Sequence, residues 1–121
     1  MKTKLPTLNP DEIYVGAIGN QKGELYHLIL LPGDNNEASQ ADQLVWAKSI
    51  GGDLPNKIEM AMLWNTCRDQ FQKDWYWSNQ THEIYSECAR YQNFGNGHQG
   101  GSYVSAELRG RAVRRIRFGE E

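Results

Sequence analysis

The sequence predicts an α+β domain, with two helices packed on a small antiparallel sheet and a long loop region. Three observations carry that reading. Apolar, β-rich runs lie toward both ends of the chain, and two capped helical stretches lie between them. Glycine- and proline-rich punctuation separates the pieces, giving the order β-β-α-α-β-β-β.

Residues 1–12 carry Pro6 and Pro10 and no periodic pattern, so they read as an extended lead-in. Residues 13–18 and 25–31 are apolar and β-prone, and Gly19-Asn20-Gln21-Lys22-Gly23 joins them as a hairpin with a loop longer than the tight two-residue kind. Pro32-Gly33-Asp34-Asn35-Asn36 stops the second strand. Ser39 is a good N-cap with Asp42 in the first turn behind it. Ala41, Leu44, Val45, the stem of Lys48 and Ile50 form the apolar stripe expected of helix one, and Gly51-Gly52 ends it. Asn56 and Glu59 have the spacing of a capping box. Met60, Leu63, Trp64, Cys67 and Phe71 then recur at i, i+3, i+4, i+7 and i+11, one apolar face of helix two. Beyond it, residues 75–78, 87–94 and 112–118 read as strands. Residues 95–102, Gly-Asn-Gly-His-Gln-Gly-Gly-Ser, are too rich in glycine to predict regular structure.

The chain has 121 residues, 39% hydrophobic and 23% charged, which suits one domain over 1–121 and excludes a disordered tail or a fibre. No apolar run approaches the ~20 residues of a membrane span, and the lead-in lacks the apolar stretch of a secretory signal. Cys67 and Cys88 make no disulfide framework, so a reducing cytoplasm is the expected location. His27, His82 and His98 are scattered singly, no metal-ligand spacing occurs, and no cofactor is expected. Neither a Gly-x-Ser-x-Gly elbow nor a phosphate-cradling Gly-x-x-x-x-Gly-Lys is present. No catalytic constellation emerges, and the expectation is a protein that is not an enzyme.

Charge and polar composition point to binding instead. Residues 1–108 hold 8 Lys/Arg against 13 Asp/Glu, whereas 109–121 hold 5 Arg against 2 Glu. Arg109, Arg111, Arg114, Arg115 and Arg117 could track a nucleic-acid backbone. The plainer reading is a terminal strand whose arginines pair with an acidic body, with Arg111, Arg115 and Arg117 on one side and Arg114 on the other. Residues 91–105 are rich in Tyr, Asn, Gln, Ser, Gly and His, the palette of adaptable recognition surfaces and also of ordinary loops. Tyr91, Asn93, Asn96, His98, Gln99 and Tyr103 are the candidate partner-binding residues, and Arg109 and Arg111 would extend them as anchors for an acidic partner. The favoured expectation is a protein-binding module using its 91–111 face, with a homodimer possible and nucleic acid as the alternative partner.

Trp46-Ala47, Gly51-Gly52-Asp53-Leu54-Pro55-Asn56, Trp75-Tyr76-Trp77-Ser78, Phe94-Gly95-Asn96-Gly97 and Ala112-Val113-Arg114-Arg115-Ile116 occur in an order that resembles the Lcl C-terminal-domain family. This is a domain of unknown function common in bacteria and their phages. The likeness spans residues 13–118 and is greatest to short prophage-encoded members, which also carry a strand like Tyr26-His27-Leu28-Ile29-Leu30-Leu31-Pro32. It implies a C-type-lectin-like fold, shared with formylglycine-generating enzymes and with the hypervariable receptors made by diversity-generating retroelements. Trp46, Trp64 and Trp77 would then be core, Trp75 being left open, and residues 95–105 would form a variable face. Some features depart from those relatives. Asp53 stands where the family has a basic residue. Trp64-Asn65-Thr66 lacks the acid of the sugar-binding lectins' calcium site, and no Glu-Pro-Asn or Gln-Pro-Asp triplet occurs. Neither calcium-dependent sugar binding nor formylglycine chemistry is carried over. The resemblance implies a small phage or prophage accessory protein that recognises a host or phage protein.

Overall fold

The computed structural model describes residues 4–121 and shows an α+β fold with two helices and two sheets. In chain order the elements are β1 (Ile13–Gly19), β2 (Leu25–Leu30), β3 (Asn35–Ala38), α1 (Gln40–Ser49), α2 (Lys57–Cys67), a 3-10 turn (Arg68–Gln70), β4 (Trp75–Thr81), β5 (Cys88–Asn93), β6 (Gln99–Tyr103), β7 (Leu108–Gly110) and β8 (Val113–Arg117). One sheet has the order β1-β2-β8 and the other β3-β7-β4-β5-β6. Every pairing is antiparallel except β4 with β7. Among the described residues no helix is long and apolar enough to cross a membrane.

The single sheet expected from the sequence is therefore two. The difference comes from three short strands whose residues carry no apolar alternation. β3 is Asn-Asn-Glu-Ala and β7 is Leu-Arg-Gly. All of β6 but Tyr103 falls within the stretch expected to lack regular structure, because its glycines leave no side-chain pattern to detect.

Both helices begin as expected. Ser39 accepts a hydrogen bond from the Asp42 amide at 3.2 Å, and Asn56 and Glu59 form a reciprocal capping box at 2.8 Å each way. Helix α1 ends where Gly51 takes a positive φ of 85°. There the Gly51 and Gly52 amides bond back to Lys48 and Ala47, closing two carbonyls that would otherwise be orphaned. The face that α1 buries is not the expected one. Gln40, Gln43 and Ala47 point inward, Leu44 is half-buried, and Ala41, Val45, Lys48 and Ile50 are exposed. Gln43 belongs inside because it is fully bonded there. Its amide donates to the Asn36 and Leu108 carbonyls at 2.8 and 2.9 Å, and its oxygen accepts from Asn35 at 2.9 Å.

Helix α2 buries Met60, Leu63 and Cys67 with Phe71 beyond its end, as the stripe predicts. These join Val15, Leu28, Leu30, Tyr76, Phe94 and Val113 in one core, with Trp64 half-buried against it. A second core surrounds the fully enclosed Trp77 with Leu31, Ala47, Leu54, Ala89, Tyr91 and Ala112, and Trp46 packs on its edge. Trp75 remains 40% exposed. Successive residues of β4 thus serve different masters: Tyr76 enters one core and Trp77 the other, as strand alternation requires.

Candidate binding surface

Four of the five C-terminal arginines are bound within the chain. Arg109 donates from Nε to Asp34 Oδ1 at 2.9 Å and is only 8% exposed. Asp34 also accepts from the Tyr76 hydroxyl, which burial and this carboxylate together push well above its ordinary pKa. Arg111, equally buried, donates to the Gln70 and Leu31 carbonyls, and its guanidinium lies 5.3 Å from the Phe71 ring. Arg114 holds Glu12 by two bonds of 2.8 and 3.0 Å and reaches the Thr7 carbonyl, tying down the lead-in.

Arg115 bonds Glu59, Asp53 and the Leu54 carbonyl. Burial alone would raise the pKa of Glu59, but hydrogen bonds from Arg115, Tyr26 and the Asn56 amide outweigh it and hold the carboxyl below its usual value. Arg117 alone of the five has no side-chain hydrogen bond or ion pair among the described residues. Within β8 the expected alternation holds. Arg115 and Arg117 share a face, opposite Leu28 and Tyr26 of β2, and Arg114 lies on the other. Arg109 and Arg111, expected as anchors for a partner, are buried internal contacts.

The tyrosines and amides of residues 91–103 divide in a way the sequence does not reveal. β5 and β6 pair Tyr91 with Gly100 and Cys88 with Tyr103. Tyr91 and Tyr103 therefore sit at strand positions of opposite parity and face opposite sides of the sheet. On one side Tyr91 lies flat against Trp75, with ring centroids 4.4 Å apart and planes 8° apart, and His98 meets it edge-on at 6.5 Å. Gly100 makes this possible. A Cβ there would come within 2.8 Å of the Tyr91 hydroxyl, so the missing side chain lets the ring lie across the strand. On the other side Tyr103, 64% exposed, lines a groove with Tyr85, Glu87, Cys88, Gly101 and Ser102.

Three of the candidate amides are committed to the fold. Asn93 Oδ1 accepts from the Gly95 amide at 2.8 Å, and Asn96 Oδ1 accepts from the His98 amide at 2.9 Å, together shaping the β5–β6 turn. Gln99 donates to the Lys57 carbonyl and to Gln92, each at 2.8 Å. On the Tyr91 side of the sheet the exposed groups are thus the Trp75 indole, stacked on the buried Tyr91, and the His98 imidazole. Trp75 is the exposed aromatic residue here that the sequence reading left open. Its signal was alternation with the enclosed Trp77, which puts both on one face with only Trp77 at the covered end.

Among the described residues, no group of three or more His, Cys, Asp or Glu side chains is placed to hold a metal ion. Both cysteines are free thiols, Cys67 buried and Cys88 half-buried. No protein-family model matches this chain, and no curated protein matches it.

Proposed function

We propose that this protein is a non-enzymatic binding module that recognises a protein partner through the Trp75–Tyr91–His98 face. The observation that carries the proposal is the stack itself. A tryptophan left 40% exposed is held flat on a tyrosine by a glycine whose Cβ would collide with that tyrosine. Neither the Trp75 indole N–H nor the Tyr91 hydroxyl has a hydrogen-bond partner among the described residues. Rigid aromatic area with a free polar tip is what interface anchors are made of.

The nucleic-acid alternative finds less support, because four of the five C-terminal arginines are bound within the chain. A C-type-lectin-like fold is part of the same proposal. Two helices beside sheets, with a recognition face at the end of β5 and β6, agree with what the resemblance to the Lcl C-terminal-domain family implies. That resemblance also makes the partner a bacterial host or phage protein met in the host cytoplasm.

The test uses wild-type protein and Trp75→Ala as paired baits in bacterial lysate, with and without nuclease and added salt. A protein retained by wild type and lost with Trp75→Ala supports the reading. Retention that vanishes with nuclease or moderate salt transfers the function to nucleic acid. Identical retention by both baits overturns the assigned face.

A further inference from the structure

The two sheets have four edges, and three carry a recognisable block against pairing with another strand. β1 has a register irregularity between Tyr14 and Gly16. β8 presents Arg114, Arg115 and Arg117, and its first residue is already bridged to Asp53. β3 has four residues, one of them Glu37, and an irregular register with β7. Bulges, charges and shortness are the usual devices that keep an edge closed. β6 has none of them. It runs Gln-Gly-Gly-Ser-Tyr in unbroken register with β5, without charge or proline, and among the described residues β5 is the only strand it pairs with.

The hydrogen bonds at its two ends set which backbone groups remain open. Asn93 donates to the His98 carbonyl at 2.8 Å and Val104 donates to the Glu87 carbonyl at 3.0 Å. Antiparallel alternation then turns the N–H and C=O of residues 100 and 102 toward β5, and those of Gln99, Gly101 and Tyr103 away from it. The Tyr103 carbonyl also accepts from the Ala106 amide at 2.9 Å, which leaves it one lone pair, while the three outward N–H groups lie symmetrically about Gly101. We infer that β6 is a self-association edge, pairing antiparallel with β6 of a second copy of this chain about a twofold axis at Gly101.

In this arrangement the two Gly101 residues exchange both backbone bonds, and Gln99 of each copy lies opposite Tyr103 of the other. Tyr103 and Tyr85, 64% and 56% exposed, flank the strand and gain cover. An identical strand fits because nothing on β6 repels its own copy, and a twofold interface repeats each favourable contact. The axis is perpendicular to the sheet, so the two Trp75–Tyr91 stacks face the same side. A bivalent target would then gain from both.

Sedimentation velocity over a hundredfold range of protein concentration tests this, read together with amide exchange. The expected result is a concentration-dependent shift to twice the chain mass, with slowed exchange at Gln99, Gly101 and Tyr103. Tyr103→Pro should stay at the monomer mass while keeping its melting temperature, because the N–H it removes points away from β5. Tyr103→Lys places a charge on the edge and should weaken the dimer at least tenfold without touching the ladder. If the proline variant unfolds, the lysine variant decides alone. Trp75→Ala should dimerise like wild type, which separates this inference from the proposed recognition face. A monomer at every concentration overturns the inference and leaves the edge to a foreign strand. A dimer that survives Tyr103→Lys, or one protected elsewhere, also overturns it.

Discussion

Arg115 grips Glu59 with two hydrogen bonds, Nε to Oε2 at 2.6 Å and Nη2 to Oε1 at 2.7 Å. The pair joins the last strand to the first turn of α2. Glu59 is fully enclosed and also accepts from the Tyr26 hydroxyl at 2.6 Å and the Asn56 amide at 2.8 Å. One carboxylate thus caps a helix, holds the hairpin and receives the terminal strand. Removing the arginine would leave a buried charge short of its strongest partner. Arg115→Met should cost about 3–5 kcal/mol in urea unfolding. Adding Glu59→Gln to it should cost far less than the two single losses together.

Acid should loosen the same lock. A carboxylate whose folded pKa lies below its unfolded value contributes stability above the unfolded value and loses it as pH falls through the folded one. Glu59 is held below its ordinary 4.5, so its contribution is complete at neutral pH and declines below about pH 4.5. Unfolding midpoints measured from neutral pH down to about pH 3 should fall less steeply in Glu59→Gln than in wild type. Equal slopes would show that other carboxylates govern the acid limb.

The α2 stripe makes a conventional packing prediction. Leu63 is wholly buried in the first core, and Leu63→Ala should cost about 2–5 kcal/mol through lost burial and the cavity left behind. A loss below about 0.5 kcal/mol would mean that the helix is packed elsewhere.

The first helix makes a less obvious one. Gln43→Ala removes the donor of the part-buried Asn36 and Leu108 carbonyls and should cost about 1–3 kcal/mol. Val45→Ala, at a position 69% exposed, should change stability by less than about 0.5 kcal/mol. Paired denaturant melts compare a polar side chain that matters with an apolar one that does not.

At the recognition face, Trp75→Ala should lower affinity for a captured partner by about 2 kcal/mol or more. Its stability cost should stay under about 1.5 kcal/mol, the scale of one aromatic stack. Gly100→Ala should lower both, since the added methyl displaces the Tyr91 ring from beneath the indole. Calorimetric titration and thermal melts on the same samples separate the two effects.

How much of this is legible in the chain depends on whether side chains announce their surroundings. The Asn56/Glu59 box and the Met60-to-Phe71 stripe do, because capping and apolar periodicity are local. The hairpin at β1 and β2 and the N-cap at Ser39 are legible for the same reason. The buried face of α1 is not. Gln40 and Gln43 read as surface until the carbonyls of Ser78 and Leu108 are brought near by distant strands and that of Asn36 by the strand before the helix. β6 escapes notice because glycine has no pattern to show. The candidate residues are divided for a related reason. Tyr91 and Tyr103 look like neighbours in a list of loop residues, and only the pairing of β5 with β6 turns them to opposite faces.

The pairing of β2 with β8 also sets a schedule. Leu28 lies beside Arg115, so the central strand of the three-stranded sheet waits for nearly the last segment of the chain. Closing so long a loop before any contact rewards it makes folding slow, of the order of milliseconds to seconds. Until that moment the Glu59 carboxylate has no guanidinium, and β2 has β1 on one side and an open edge on the other. During synthesis the hairpin and both helices emerge well ahead of the strand that completes them. Removing residues 113–121, which takes away β8, should therefore abolish cooperative folding altogether, rather than trim a dispensable tail.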